Sequence, residues 1–337
     1  MVQFTPVAGP HTHGGTSTTD LMYLVIAALL PASLFGVYLF GINALIVLLT
    51  CCCGAMVFEY LGLKLLGRSS HSAMDGSALL TGLLLGLSLP PSTPWWIALS
   101  GVFFAIIVGK TVFGGLGQNP FNPAMLGRVM LLICFPVELT NWQQPTPPTM
   151  TDGGLAMNNH WLNINIDGIS AATPLSQLAG DVSQSLPSFT ELSLGQHAGS
   201  LGETSALLIL LGGLFLLWRG IIHWRIPVAL LLGLAIPAAI SHLIAPESFG
   251  SATSHVLSGG AMLAAFFIAT DMVTSPTSAK GQLLFGAGCG LLIWLIRSFG
   301  SYPEGVAFAV LIMNATTPVI DHYLRPTVFG QAKRFPL

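Results

Sequence analysis

The stretch INALIVLLTCCCGAMVFEYLGL, residues 42–63, carries a single charged side chain, Glu59, in a run of apolar and small residues. A helix rises 1.5 Å per residue, so a segment of this length crosses roughly 30 Å of hydrocarbon and has almost nothing to offer water. The rest of the chain has the same character. There are 11 Lys and Arg and 13 Asp and Glu in 337 residues, so 7% are charged, 53% are hydrophobic and the mean hydropathy is +0.75. Soluble domains hold about a quarter charged residues, which excludes an ordinary soluble protein. A net charge of −2 provides no basic field for phosphate, which argues against nucleic acid as a partner. Cys51, Cys52, Cys53, Cys134 and Cys289 all sit in apolar surroundings without disulfide or metal-ligand spacing, and no metal site is expected.

Working outward, apolar stretches near 21–40, 42–63, 76–90, 95–113, 124–136, 203–218, 226–244, 257–273, 281–298 and 304–320 predict about ten transmembrane helices. The fold class is therefore all-α, a polytopic membrane protein. The stretches at 76–90 and 124–136 are short and bounded by Pro and Gly, which predicts tilted or broken helices. With the N-terminus inside, Lys64, Arg68, Lys110, Arg219, Arg225, Lys280, Arg325, Lys333 and Arg334 fall at inner ends or loops, and only Arg297 lies near the outer face. The long segment after residue 136 has no Lys or Arg until Arg219 and carries Glu138, Asp152, Asp167, Asp181 and Glu191, as an outer loop would. The predicted organisation is an inner N-terminal segment (1–20), a first transmembrane repeat (21–136), the outer loop (137–202), a second transmembrane repeat (203–321) and an inner C-terminal tail (322–337). The segment before the first span has no basic n-region and is not read as a removable signal peptide.

A shift of 183 residues aligns Gly76 with Gly259, Ala78 with Ala261, Leu80 with Leu263, Gly117 with Gly300, Pro120 with Pro303 and Ala124 with Ala307. Five spans separate equivalent residues, so the expectation is two inverted five-helix repeats. Such folds place sites near the repeat interface, at helices interrupted by Gly and Pro. The interrupted segments are Gly114-Gly115-Leu116-Gly117-Gln118-Asn119-Pro120-Phe121-Asn122-Pro123 and Arg297-Ser298-Phe299-Gly300-Ser301-Tyr302-Pro303.

Ionisable groups within hydrocarbon are costly and face a cavity or a partner. Glu59 and Asp271 are the candidates, with Lys110 and Arg128 as counter-ions, and the residues leave two readings open: structural pairing, or an ion path. Glu203 and Asp321 are read as interfacial. The Asn119-Pro120-Phe121-Asn122-Pro123-Ala124 run has an Asn-Pro-Ala reminiscent of water channels, but the prolines read better as helix breaks, with the asparagines satisfying freed backbone groups. In the outer loop, Asp167-Gly168-Ile169-Ser170-Ala171-Ala172-Thr173-Pro174 reads as a turn, since Asp and Gly favour tight turns and Thr before Pro is extended.

That octapeptide also resembles the flavinylation motif of the D-subunit family of the Rnf (Rsx) electron-transport complex. Four further stretches are similar to the same family in the same order: 77–85, Gly114 to Ala124, Ala269-Thr270-Asp271-Met272-Val273-Thr274, and 301–310. The B subunit of the sodium-pumping NADH:quinone oxidoreductase is a more distant relative of that family. The resemblance implies FMN bound covalently through a phosphoester to Thr173, installed by a periplasmic flavin transferase that uses FAD, with Asp167 and Ser170 as recognition or packing residues. It implies a second, non-covalent flavin (riboflavin) among the helices, without assigning its residues. It also implies a multi-pass protein of the bacterial inner membrane with both termini cytoplasmic and the 137–202 loop periplasmic.

The function so implied is that of an electron-relay subunit. Its complex couples ferredoxin and NAD electron transfer to cation transport, an oxidoreductase activity that this chain would not have alone. Partner subunits, one of them a periplasmic flavin subunit, would handle ferredoxin and NAD. The alternative from another class is a secondary transporter or channel with inverted repeats. Bound flavin separates the two.

Overall fold

Ser17 opens the first helix through a reciprocal cap. Its hydroxyl accepts from the Asp20 N–H at 3.1 Å, and the Asp20 carboxylate accepts the Ser17 N–H at 3.0 Å. Helix α1 (Thr18–Phe40) then turns at Gly41 into α2 (Ile42–Leu65). The structure, a computed structural model, describes residues 17–68, 73–151, 154–156, 173–175, 188–195, 197–203, 205–246, 248–300, 302 and 304–325. Next come α3 (Ser77–Ser88), α4 (Trp95–Thr111, a π-helix from Phe104) and α5 (Pro123–Cys134). Short helices α6 (Pro136–Thr140) and α7 (Phe189–Leu194) flank a two-stranded ribbon, β1 (Thr149–Thr151) antiparallel to β2 (Gly154–Ala156), with Thr149 opposite Ala156. The second half contains α8 (Ala206–Trp218), α9 (Arg225–Ile244), α10 (Ala252–Leu257), α11 (Ala261–Leu263, continuing as a π-helix Ala264–Ile268), α12 (Ala279–Phe299) and α13 (Val306–Tyr323).

Each predicted apolar stretch contains a helix. Four helices, α1, α2, α9 and α12, are long and apolar enough to cross a membrane by length and composition, and the chain is a polytopic membrane protein. The remaining apolar helices are shorter. At 12 residues each, α3 and α5 rise about 18 Å, too little for a full crossing. Two expectations need amendment. The stretch 257–273 is not one helix: Ser258 is extended and Gly259 takes φ +66, so the chain breaks there before α11. The ribbon departs from a wholly α-helical chain. It lies outside the apolar stretches, where water satisfies strand edges that hydrocarbon would leave bare.

The most extensive helix pair is α9 with α12. Gly286 and Gly290, one turn apart, let the backbones meet: a β-carbon at Gly286 would lie 2.7 Å from the Ile226 carbonyl oxygen, and one at Gly290 would overlap the Leu230 carbonyl. Between apolar helices in lipid, such close approach is the main source of packing attraction. Gly290→Val cannot be absorbed by a side-chain shift, because the obstacle is backbone. It is expected to cost about 3 kcal/mol, read as a lowered thermal unfolding midpoint of the detergent-solubilised protein. Gly288→Ala meets only the Met313 side chain and should be milder.

Candidate functional site: polar clusters around the broken helices

Pro123 cannot donate a backbone hydrogen bond, and the first turn of α5 leaves orphan N–H groups. Asn122 answers both problems. Its Oδ1 accepts from the Ala124 and Met125 N–H groups at 3.0 and 3.3 Å, and its Nδ2 donates to the Ile268 carbonyl, at the end of α11, at 3.3 Å. One amide thus ties the start of a half-helix to the end of another 146 residues away. The asparagine does what the sequence reading expected of it. Asn119 Nδ2 donates to the Phe121 carbonyl at 3.0 Å, while its buried Oδ1 has no partner among the described residues.

Beside this junction lies a cavity between α1, α3, α5, α8 and α11. Leu80, Leu84, Phe266 and Phe267 give it apolar walls, and Ser77, Thr81, Lys110, Asn119, Asn122 and Asp271 supply polar groups. Lys110 is 1% exposed at the end of α4. All three of its donors are used: 2.7 and 2.6 Å to Glu59 Oε1 and Oε2, and 2.6 Å to Ser77 Oγ. Ser77 Oγ in turn donates to Asp75. The structure therefore joins Glu59 to Lys110, one of its two expected counter-ions. Asp271 faces the cavity, accepting from the Val273 N–H at 3.3 Å and the Thr274 hydroxyl at 3.0 Å. Glu59 and Asp271 are not in contact, and Glu59 sits behind Lys110 rather than in the cavity wall.

At the opposite end of the bundle is a second cluster that the sequence reading had not assembled. Arg128 on α5, the other expected counter-ion, pairs with Glu304 at 3.0 Å. Glu203, just before α8, is 4% exposed and accepts from the Ser200 hydroxyl at 2.8 Å. Arg297, near the end of α12 and 4% exposed, donates to the His255 and Ser258 carbonyls at 2.5 and 3.1 Å. His197, in the loop before α8, has its Nδ1 3.2 Å from the Ala198 carbonyl oxygen, and burial holds its imidazole pKa below the usual value. Arg297, Glu304 and Glu203 were the residues to suspect on the ground that a charge within or beside an apolar helix needs a partner.

Thr173 is not on an open loop. It is 3% exposed, and Leu175, two residues on, is buried against the second half of the bundle. Leu175 Cδ1 and Arg297 Nη2 crowd the same point, 2.5 and 2.6 Å from where a β-carbon of Gly259 would be. Asp167 and Ser170 lie outside the described residues.

The fold and the site define a membrane-embedded helical bundle that holds charged side chains and a polar-lined cavity at its broken helices. Residues 6–330 match the model of the NQR2, RnfD, RnfE family, and the chain belongs to that family. A relative from Yersinia pseudotuberculosis serotype O:1b (strain IP 31758) is 46% identical over 346 residues, covering 96% of this chain and 97% of its own. Another from Halorhodospira halophila (strain DSM 244 / SL1) is 44% identical over 344 residues, covering 97% and 96%, and one from Stutzerimonas stutzeri is 46% identical over 346 residues, covering 95% and 94%. Each of the three is named as the D subunit of an ion-translocating oxidoreductase complex.

Removing one member of a buried ion pair leaves the other charge uncompensated. Lys110→Met is therefore expected to destabilise the protein by about 3–5 kcal/mol. The double variant Glu59→Leu with Lys110→Met should recover most of that loss. Thermal unfolding of the single and double variants checks both, and equal midpoints for parent and Lys110→Met would contradict the pairing.

Proposed function

We propose that this chain is the electron-relay D subunit of a multisubunit ion-translocating oxidoreductase complex, carrying FMN on Thr173. The observation that carries the reading is the match over nearly the whole of both chains to relatives bearing that name. Ferredoxin and NAD would be handled by partner subunits, among them a periplasmic flavin subunit. The membrane is the bacterial inner membrane, with the Lys110 end and both termini cytoplasmic and the Arg297 end periplasmic.

Ten helices in two inverted repeats complete the proposal. In its favour, the 183-residue shift pairs α1 with α8, α2 with α9, α3 with α11, α4 with α12 and α5 with α13. Gly76 and Gly259, the equivalents just before α3 and α11, both take positive φ, at 84 and 66.

The residues present suit the cofactors. Thr173 provides the hydroxyl that the phosphoester needs. The cavity beside Asn122, with aromatic walls and the unpartnered Asn119 Oδ1, offers polar and apolar groups of the kind a second, non-covalent flavin such as riboflavin would use. A flavin supplies one- and two-electron redox chemistry, and the chain supplies position and electrostatics. In attachment, the Thr173 oxygen bonds to the FMN phosphorus of FAD, the pyrophosphate bond breaks, AMP leaves and the hydroxyl proton passes to solvent. Since Thr173 is buried, the FAD-dependent transferase acts before this segment packs. The cavity beside Asp271 equally favours the transporter alternative, in which Asp271, with Glu59 behind Lys110, lines an ion path.

The test is a denaturing gel of the chain, produced in a host with the transferase, viewed under ultraviolet light and followed by peptide mass analysis. The expected result is fluorescence at the chain's mass and an FMN adduct on the Thr173 peptide. Thr173→Ala should lose all covalent flavin and Thr173→Ser should keep it. A dark parent band would favour the transporter reading, and covalent FMN persisting in Thr173→Ala would overturn the assignment to that residue.

A further inference from the structure

The turn between α8 and α9 gathers charge of one sign. Arg219 stands at the C-cap of α8 and Arg225 opens α9. Arg225 Nη1 donates to Gln282 Oε1 at 3.2 Å, which brings Lys280, in the first turn of α12, to the same end of the bundle. No Asp or Glu occurs between Glu203 and Glu247, or between Asp271 and Glu304. The carboxylates that other elements bring to this end are engaged, Asp271 by Thr274 and Asp321 by Thr277. Among the described residues, none of the three cations has a carboxylate within ion-pair distance. Trp218 is 79% exposed and Trp224 57%, and Arg219, His223 and Lys280 are exposed with them. The turn is held from within: Gly220 takes φ +69 where the chain reverses, and Ile222 is buried in the wall of the cavity that Lys110 also lines.

Tryptophan alone marks only the boundary of water and lipid, as the exposed Trp95 and Trp96 do in a stretch with no Lys or Arg from residue 69 to 109. At the α8–α9 turn the indoles accompany cations. Toward the middle of the bundle, Leu211 and Leu214 on α8 and Val228 and Leu232 on α9 are exposed, an apolar surface for acyl chains. A lipid phosphodiester at the depth of the indoles suits both surfaces. It carries one negative charge and two non-bridging oxygens, which a guanidinium fork matches, while its chains run down the apolar faces. We propose that the α8–α9 turn, with Lys280, is a binding site for the headgroup of an anionic phospholipid of the surrounding leaflet. A zwitterionic headgroup brings an ammonium group of its own, which the three cations disfavour, so the site selects phosphatidylglycerol or cardiolipin over phosphatidylcholine. Such a site is independent of flavin on Thr173 and needs only that the chain spans the membrane.

The experiment uses the intact complex in phosphatidylcholine vesicles that contain a rising share of phosphatidylglycerol with a photoactivatable diazirine beside its headgroup. After illumination, peptide mass analysis reads the labelled fraction of segments 218–225 and 279–282. Labelling is expected to saturate, and to exceed that by phosphatidylcholine carrying the same diazirine. A cation beside an anionic headgroup contributes about fivefold to binding. Arg219→Gln and Lys280→Gln should therefore each raise the half-saturating lipid share about fivefold, and the double variant about 25-fold. Arg219→Lys, which keeps the charge, should stay near the parent. Both side chains are exposed, so the variants should fold as the parent does. Labelling that grows in proportion to lipid share and is equal in parent and variants overturns the site, leaving bulk lipid only. Segments that stay unlabelled in the intact complex overturn it in favour of a partner subunit covering the turn. Label lost to millimolar inorganic phosphate, but kept in chloride of equal ionic strength, overturns the lipid in favour of a soluble anion.

Discussion

A helix that stops inside an apolar bundle must have its end groups satisfied from within the chain, and Asn122 is where this chain meets that constraint. Two N–H groups at the start of α5 and one carbonyl at the end of α11 have no water to turn to. A single side-chain amide serves all three. Replace it by an apolar residue and three backbone groups are stranded. Because it serves two half-helices at once, Asn122 also fixes where the halves of the molecule touch, and thereby where the cavity lies. The cavity's polar lining, Ser77, Asn119 and Asp271 among it, stands around that junction because the half-helices end there.

The charged side chains follow from the same geometry. Short helices leave gaps that long polar side chains fill, and each buried charge then needs compensation. Lys110 reaches from the end of α4 to Glu59 on α2 and to Ser77 at the start of α3, so three elements are held by one ammonium group. Arg128 does similar work through Glu304, joining α5 to the approach to α13. Such pairs contribute little net stability over an apolar core, but breaking one is severe, so they specify which helices meet.

Much of the architecture was legible because hydrocarbon is a simple solvent. Every helix longer than about two turns falls in a run that apolarity alone picked out, and Pro and Gly at the borders marked the short ones. Asn122 was legible because Pro123 removes a donor beside it. Three things were not. The break at Gly259 sits between apolar neighbours, so hydropathy runs through it, and only the backbone shows that Leu175 and Arg297 leave no room for a β-carbon. The partner of Arg128 is 176 residues away, beyond any local pattern. The octapeptide around Thr173 reads as a turn in a polar loop, whereas Thr173 is buried and Leu175, two residues on, packs at Gly259. In each case the deciding contact is between distant parts of the chain.

The two ends of the bundle are alike in outline and differ in how each holds its buried cation. At each, a long cation near the C-terminus of a helix, Lys110 on α4 or Arg297 on α12, reaches the residues beside a positive-φ glycine that precedes a short helix. Ser77 follows Gly76 and Ser258 precedes Gly259, so the cations meet nearly equivalent places. Lys110 has an acidic partner on α2, while the residue that the proposed repeat would place at the same position on α9 is His242, whose ring bonds the Phe249 carbonyl at 2.7 Å. Arg297 instead bonds the His255 and Ser258 carbonyls, in a cluster that also holds Arg128, Glu203 and Glu304. The two ends therefore hold their buried cations by different means, a direct ion pair at one and backbone carbonyls within a mixed cluster of charges at the other.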